Sequence, residues 1–418
     1  MIQHKTFLFA AGLLLSALAG ASGRSDSAPL AIHARKVLTC APEAGVIDNA
    51  IVLVKDGKIE RVGAARGIDV PEGYEHLDLA DLWLAPGLID LHNHTAGGIR
   101  DLNDMVYLTN PGLRASASIT PNNELQQRAV AGGVTTVLLI PGSGTNMGGQ
   151  GILLKTAGGG FEDLRVRDPG SLKLAQAGNP ERWLIGPGRS FMNYNTRNTF
   201  QRGLAYARRR AAGEKVERDI QFDVFPDLLS KKTQVSTHTQ IYQVVLTTIT
   251  MVRRELGLDV FIDHGTFDGY LASPEAEKSG VPAILGPRQV QAPRPPFIDT
   301  DGRINGVAAG YQERGHTRIG FNTDAVGGFG IGQEELSLQA AVGCRYGFDN
   351  SRMDAVRGVT SVPATTAGLG ETVGTIEAGK DADLIVVTGD PLDPRTSVEM
   401  VMIRGRLVYD TRKDARRW

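Results

Sequence analysis

Apolar and polar positions change their rhythm twice along the chain. Residues 31–84 form short β-rich pieces, such as Ile51-Val-Leu-Val54 ahead of the turn pair Asp56-Gly57, without a long helical repeat. In the middle, strand-like and helical runs alternate over residues 134–140, 242–256, 259–263 and 334–343. That alternation predicts parallel βαβ units, and a TIM-like (β/α)8 barrel of the α/β class is their economical closure. Towards the end, Asp383-Leu-Ile-Val-Val387 and residues 401–408 again read as strands. The two chain ends are therefore expected to pair into one small β-sandwich. The expected boundaries are a signal peptide over 1–21, the N-terminal part of the sandwich over 22–85, the barrel over 86–370 and the C-terminal part of the sandwich over 371–418.

The first residues have a separate character. His4 and Lys5 precede an almost uncharged apolar run over 6–19, and Ala19-Gly-Ala21 then gives the small-x-small pattern of a signal-peptidase site. The run is shorter than the ~20 residues a spanning helix needs. Cleavage after about Ala21 is expected, with export to the periplasm or the medium and no stable membrane span afterwards; a retained anchor is the alternative.

Length and charge narrow the partners. A chain of 418 residues accommodates a barrel of about 250 residues and an appended domain. With 45 basic and 46 acidic side chains, and no basic block apart from Arg208-Arg-Arg210, nothing favours nucleic acid or an anionic membrane. A small-molecule substrate is expected, and a homo-oligomer is compatible with the sequence. Cys40 and Cys344 alone exclude a disulfide scaffold or a cysteine-rich zinc cluster, and a bridge between them is not expected.

The chemistry gathers where strands end. The apolar run Leu84-Ala-Pro-Gly-Leu-Ile89 leads into Asp90-Leu-His92-Asn-His94, and histidines one residue apart on a strand point to the same side. Three later runs each end in one more ligand type: Val235-Ser-Thr-His238, Val260-Phe-Ile-Asp-His264 and Ile319-Gly-Phe-Asn-Thr-Asp324. Barrel active sites sit at the C-terminal ends of the strands. Four histidines and one aspartate so placed describe a metallohydrolase, and imidazole with carboxylate suits zinc, iron or manganese better than calcium or magnesium. Strand alternation turns Asp263 away from His264, with orientation of a ligand as its other reading.

Several motifs resemble the amidohydrolase superfamily, and specifically its imidazolonepropionase-like branch. They are Ala85-Pro-Gly-Leu-Ile-Asp-Leu-His-Asn-His94, Ala131-Gly-Gly-Val-Thr-Thr136, the Gly-Gly-Gln-Gly loop at 148–151, Asp263-His-Gly265, Asn322-Thr-Asp324 and Val373-Gly-Thr-Ile-Glu-Ala-Gly-Lys-Asp-Ala-Asp-Leu384. The resemblance implies that His92, His94, His238, His264 and Asp324 ligate one or two divalent metals, zinc first, with iron or manganese as alternatives. It implies that Asp324 is catalytic, carrying a proton from the activated water. In a two-metal site it implies a bridging carboxylated lysine; Lys173, in Ser171-Leu-Lys-Leu-Ala175, fits the pattern, and Lys155 is the alternative. Arg197, beside Thr196, is a candidate for a substrate carboxylate, while Gln150 and Asn146 are candidates to line the pocket.

The activity so implied is hydrolysis of a carbon–nitrogen bond in an amide, cyclic amide or dipeptide-like substrate. Two departures weaken substrate inference: Ala177-Gly178-Asn179-Pro180 where relatives often carry Gly-Glu-Asn-Pro, and His238-Thr-Gln240 where they often carry His-Ala-His. One rival reading is a mononuclear deaminase, which commonly has a glutamate where this chain has Ile241. The other is a non-catalytic metal- or ligand-binding relative.

Overall fold

The computed structural model describes residues 28–43, 45–95, 102, 104–105, 107–176, 188–292, 304–326 and 331–418. The leader at 1–21 and the Ala177–Pro180 departure lie outside the described residues. No helix among the described residues is long and apolar enough to cross a membrane.

Four strands open the fold: β1 (Leu30–Leu38), β2 (Val46–Lys55), β3 (Lys58–Ala64) and β4 (Glu75–Pro86). The next seven are β5 (Leu88–Asn93), β6 (Val134–Leu139), β7 (Met147–Lys155), β8 (Arg165–Ala175), β9 (Val235–Thr239), β10 (Val260–His264) and β11 (Ala283–Leu285). A two-stranded ladder, β12 (Val290–Gln291) with β13 (Asn305–Gly306), precedes β14 (Ile319–Phe321). The chain ends with β15 (Leu384–Val387), β16 (Val398–Ile403) and β17 (Arg406–Asp410).

Strands β5 to β11 and β14 form one eight-stranded sheet in sequential order, giving a TIM-like barrel. Its two edges approach each other through a parallel bridge between Asn93 and Ala325, where the His94 amide donates to the Ala325 carbonyl at 2.9 Å. Every residue of β5, β6, β7, β9 and β10 is buried. Burial on both faces is why runs within them such as 137–139, 152–154 and 260–262 are continuously apolar instead of alternating.

The barrel departs from the expected all-parallel pattern at β7, which pairs antiparallel with both β6 and β8. Its connection from β6 covers only residues 140–146, enough for a hairpin, whereas a parallel crossover needs a dozen residues or more. The reversal puts the 140–146 connection and the start of β7 at the C-terminal mouth of the barrel, and the end of β7 at its base.

Segments from both ends of the chain meet in a single sheet, where a sandwich was expected. β17, β16, β15, β4, β1, β2 and β3 form one seven-stranded sheet, in which the N-terminal β4 pairs antiparallel with β15. Lys155, at the end of β7, ties this sheet to the barrel: its Nζ donates to Asp383 Oδ2 at 2.5 Å and to Thr136 Oγ1 at 3.1 Å. Both cysteines are free thiols, Cys40 buried and Cys344 half-buried.

Candidate metal centre

Strand alternation brings His92 and His94 to the same side of β5, and both are buried. Their ring nitrogens stand together, with Nε2 atoms 3.2 Å apart. Asp324, just beyond β14, adds Oδ1 at 3.1 Å from His92 Nε2 and 3.4 Å from His94 Nε2. His264 at the end of β10 completes a group in which the ligand atoms of His92, His264 and Asp324 all lie within 4.8 Å of one another. His238 on β9 packs against it, its ring centroid 4.3 Å from that of His264.

Each imidazole is aimed by its far nitrogen. His94 Nδ1 donates to the Ile140 carbonyl at 2.7 Å, and His264 Nδ1 to the Gly286 carbonyl at 2.8 Å. His238 Nδ1 is hydrogen-bonded to Ser143 Oγ at 2.7 Å, and His92 Nδ1 donates to Asp263 Oδ1 at 2.6 Å. Anchoring Nδ1 in this way fixes the ring and leaves Nε2 for a metal. The Nε2 atoms of His238 and His264 are buried with no partner among the described residues. A buried polar atom without a partner is costly, so the site fits a cation that these nitrogens would ligate. Four imidazoles and a carboxylate are a donor set for zinc, iron or manganese.

Asp263 is the largest correction to the sequence reading. Far from turning away, it lies at the centre of the group: Oδ1 accepts from His92, and Oδ2 accepts from Lys173 Nζ at 3.0 Å. Alternation fails because His264 takes a left-handed backbone with φ of 71°. Asp324 has the same departure, with φ of 48°. Such conformations are strained for residues other than glycine and persist only where surroundings enforce them.

Lys173, fully buried on the fourth barrel strand, stands inside this group. Lys155 is at the barrel base with Asp383 and is removed from candidacy by the reversed direction of β7. Arg197 is not brought to the histidines; it lies on the helix Arg189–Ala211, exposed, with both Nε and Nη2 on Glu255. Gln150 is committed to the Pro111 carbonyl, to which its Nε2 donates at 2.9 Å. Asn146 acts as a buried brace, donating to the Ala175 carbonyl and accepting from Asn195 Nδ2 at 2.7 Å.

Ser143 and Asp90 carried no signal on which sequence reasoning could fix. Asp90 is buried beneath His92 in the same strand and accepts from Thr323 Oγ1 at 2.5 Å. Burial pushes its carboxyl up to about 7, against those hydrogen bonds. Burial also pulls His92 down, but Asp263 and Asp324 overcome it and raise the ring to about 9. Burial, reinforced by His92, lowers His264 to about 4. Burial holds His94 below the ordinary range and His238 well below it. For Asp324, burial opposes ionisation, yet His92, His94 and His264 keep its carboxyl well below the usual range.

Barrel, donor set and anchored imidazoles together form a site suited to a divalent metal. Residues 303–408 match the family described as "Amidohydrolase family". The amidohydrolase tasK of Hapsidospora irregularis is 26% identical over 412 residues, covering 86% of this chain; the chain spans only 40% of that relative's length. Imidazolonepropionase of Sphingopyxis alaskensis is 24% identical over 396 residues, covering 86% of this chain and 92% of the relative. Among solved structures, an amidohydrolase from Thermotoga maritima MSB8 superposes with a TM-score of 0.79 at 29% identity, covering 91% of this chain and all of the other. A putative prolidase from Bifidobacterium longum shares the fold at a TM-score of 0.54 and 19% identity. Over these residues and relatives the chain is similar to amidohydrolases.

Proposed function

We propose that this protein hydrolyses a carbon–nitrogen bond in a small amide, cyclic amide or dipeptide-like molecule, with Asp324 as proton shuttle. The observation that carries the reading is the placement of Asp324. Its side chain is 30% exposed while those of His92 and His94 are 1% and 5% exposed, so the carboxylate is the member of the group that faces incoming substrate. Held ionised by the imidazoles, it is ready to take a proton from the attacking water and return it to the leaving nitrogen.

His92, His94, His238, His264 and Asp324 would hold the cation, with zinc favoured and iron or manganese as alternatives. When bound, a divalent ion supplies Lewis acidity and makes water acidic enough to be deprotonated near neutral pH. Lys173 is the residue for carboxylation in a two-metal form, because it lies in the buried group and a free ammonium there opposes cation binding. Asp263 and Ser143 keep His92 and His238 at the orientations that ligation requires.

The names of the relatives set the order of testing: cyclic amides after imidazolonepropionase, dipeptides after the prolidase. The metal-loaded protein, assayed against dipeptides, cyclic amides and lactones with parallel metal analysis, is expected to turn over at least one class. Bound metal with no hydrolysis across that screen would make the chain a binding relative instead. Deamination is disfavoured by Ile241, whose side chain cannot carry a proton. The leader-like run at 6–19 supports export to the periplasm or medium, checked by the N-terminal sequence of protein recovered outside the cytoplasm.

A further inference from the structure

The barrel base carries a feature unrelated to the histidines. Gln234, Val260, Pro282 and Arg318 stand at or just before the first residues of β9, β10, β11 and β14, and they line an open cavity of about 1110 Å³. Its far wall comes from residues 361–380, which lead into β15. Seven lining side chains are lysine or arginine and three are aspartate or glutamate, in a chain whose net charge is −1. Positive charge is therefore concentrated here.

Local carboxylates balance it only in part: Lys380 pairs with Glu377 at 2.9 Å and Arg318 stands 3.8 Å from Glu277. Arg167 has no carboxylate partner among the described residues: its Nη2 donates to the Gly170 carbonyl at 3.1 Å, and its Nε is buried without an acceptor. Burial alone lowers its pKa. Lys231 and Arg253 share one carboxylate, Asp259, at 3.5 and 2.5 Å. Arg357 spends Nη2 on the Ala41 carbonyl, stands 3.9 Å from Asp354 and leaves Nε unpartnered. Gln234 is only 9% exposed, and its Nε2 has no acceptor among the described residues. Lys232 lines the open edge with no ion-pair partner among them. Partly buried guanidinium groups without counter-ions are costly unless an anion meets them.

We propose that this cavity binds a small polyanion bearing phosphate groups, gripped by Arg167 and Arg357 and attracted by Lys231 and Lys232. Guanidinium forks match phosphate oxygens two at a time, and the surplus of cations over carboxylates suits a ligand with several negative charges. The volume admits a metabolite larger than phosphate itself. This site is independent of the reading of the metal centre, and its test needs no turnover.

The test is calorimetric titration of pyrophosphate into the full chain at fixed ionic strength, comparing wild type with Arg167→Gln, Lys232→Glu and Asp324→Asn. Wild type is expected to bind saturably, with affinity about tenfold or more weaker in Arg167→Gln. Lys232→Glu, an exposed change that leaves folding intact, is expected to weaken binding several-fold, and Asp324→Asn to leave it unchanged. Absence of saturable binding to wild type overturns the proposal. So does an affinity that is unaffected by Lys232→Glu yet altered by Asp324→Asn, which would place the anion at the metal centre.

Discussion

Asp263 holds Lys173 and His92 at once: one carboxylate oxygen accepts from the lysine Nζ at 3.0 Å and the other from the imidazole Nδ1 at 2.6 Å. All three side chains are shielded from solvent. Asp263 is thus both the counter-ion of the lysine and the anchor of a candidate metal ligand. Removing it leaves a buried cation unpaired, which costs about 3–5 kcal/mol. Asp263→Ala is expected to show that loss in urea unfolding of metal-free protein. Metal affinity should also fall about 10–100-fold, because His92 loses its anchor. A variant that keeps wild-type stability and metal content would remove Asp263 from both roles.

Asp324→Asn tests the chemistry without disturbing the scaffold. Proton transfer by a positioned side chain contributes about 10²–10⁴-fold, and kcat per bound metal should fall by that order while the melting temperature changes little; metal affinity should also weaken, because Asp324 is one of the candidate ligands. Undiminished kcat on any substrate the wild type hydrolyses would assign the shuttle elsewhere.

Lys155 and Lys173 should separate cleanly by substitution. Lys155→Met leaves Asp383 buried without its cation and should cost about 3–5 kcal/mol in chemical unfolding, with kcat and metal content of the folded fraction preserved. Lys173→Met should instead lower metal content, a loss read by elemental analysis and not repaired by added bicarbonate. If bicarbonate raises metal uptake in wild type but not in Lys173→Met, the lysine is the carboxylated one.

Proton release should accompany metal uptake. His92 is raised from 6.5 to about 9, so its contribution to metal-free stability is fully present below 6.5 and disappears as pH climbs through about 9. His264 behaves oppositely: lowered from 6.5 to about 4, it destabilises the metal-free fold progressively as pH falls through that interval. At pH 7 an ion must displace the proton of His92. Titrations in buffers of different ionisation enthalpy should report roughly one proton released, declining towards pH 9. Heats independent of buffer would show that His92 is neutral before loading.

Much of the centre was legible because its donors sit at strand ends, where a period of two and an abrupt polar residue are both visible. His92 and His94 needed only that period, whereas Lys173 was singled out by the resemblance, with Lys155 as its alternative. What stayed hidden depends on pairing direction or on single backbone torsions. The reversal of β7 follows from a short connection, yet apolar periodicity is the same for parallel and antiparallel neighbours, so Lys155 remained a competitor. Asp263 was misjudged because alternation assumes extended backbone through His264. Arg197 and Gln150 were placed by resemblance alone, and Glu255 and Pro111, remote in sequence, claim their polar groups.

The pairing of β4 with β15 also governs when the molecule can finish folding. An early strand must wait for a partner far along the chain, and contacts between such distant segments form slowly. Until β15 arrives, β4 offers a bare hydrogen-bonding margin, the kind of surface on which other chains can polymerise. A ribosome stalled before β15 would therefore release a sticky product, and quality control of this protein turns on that one strand.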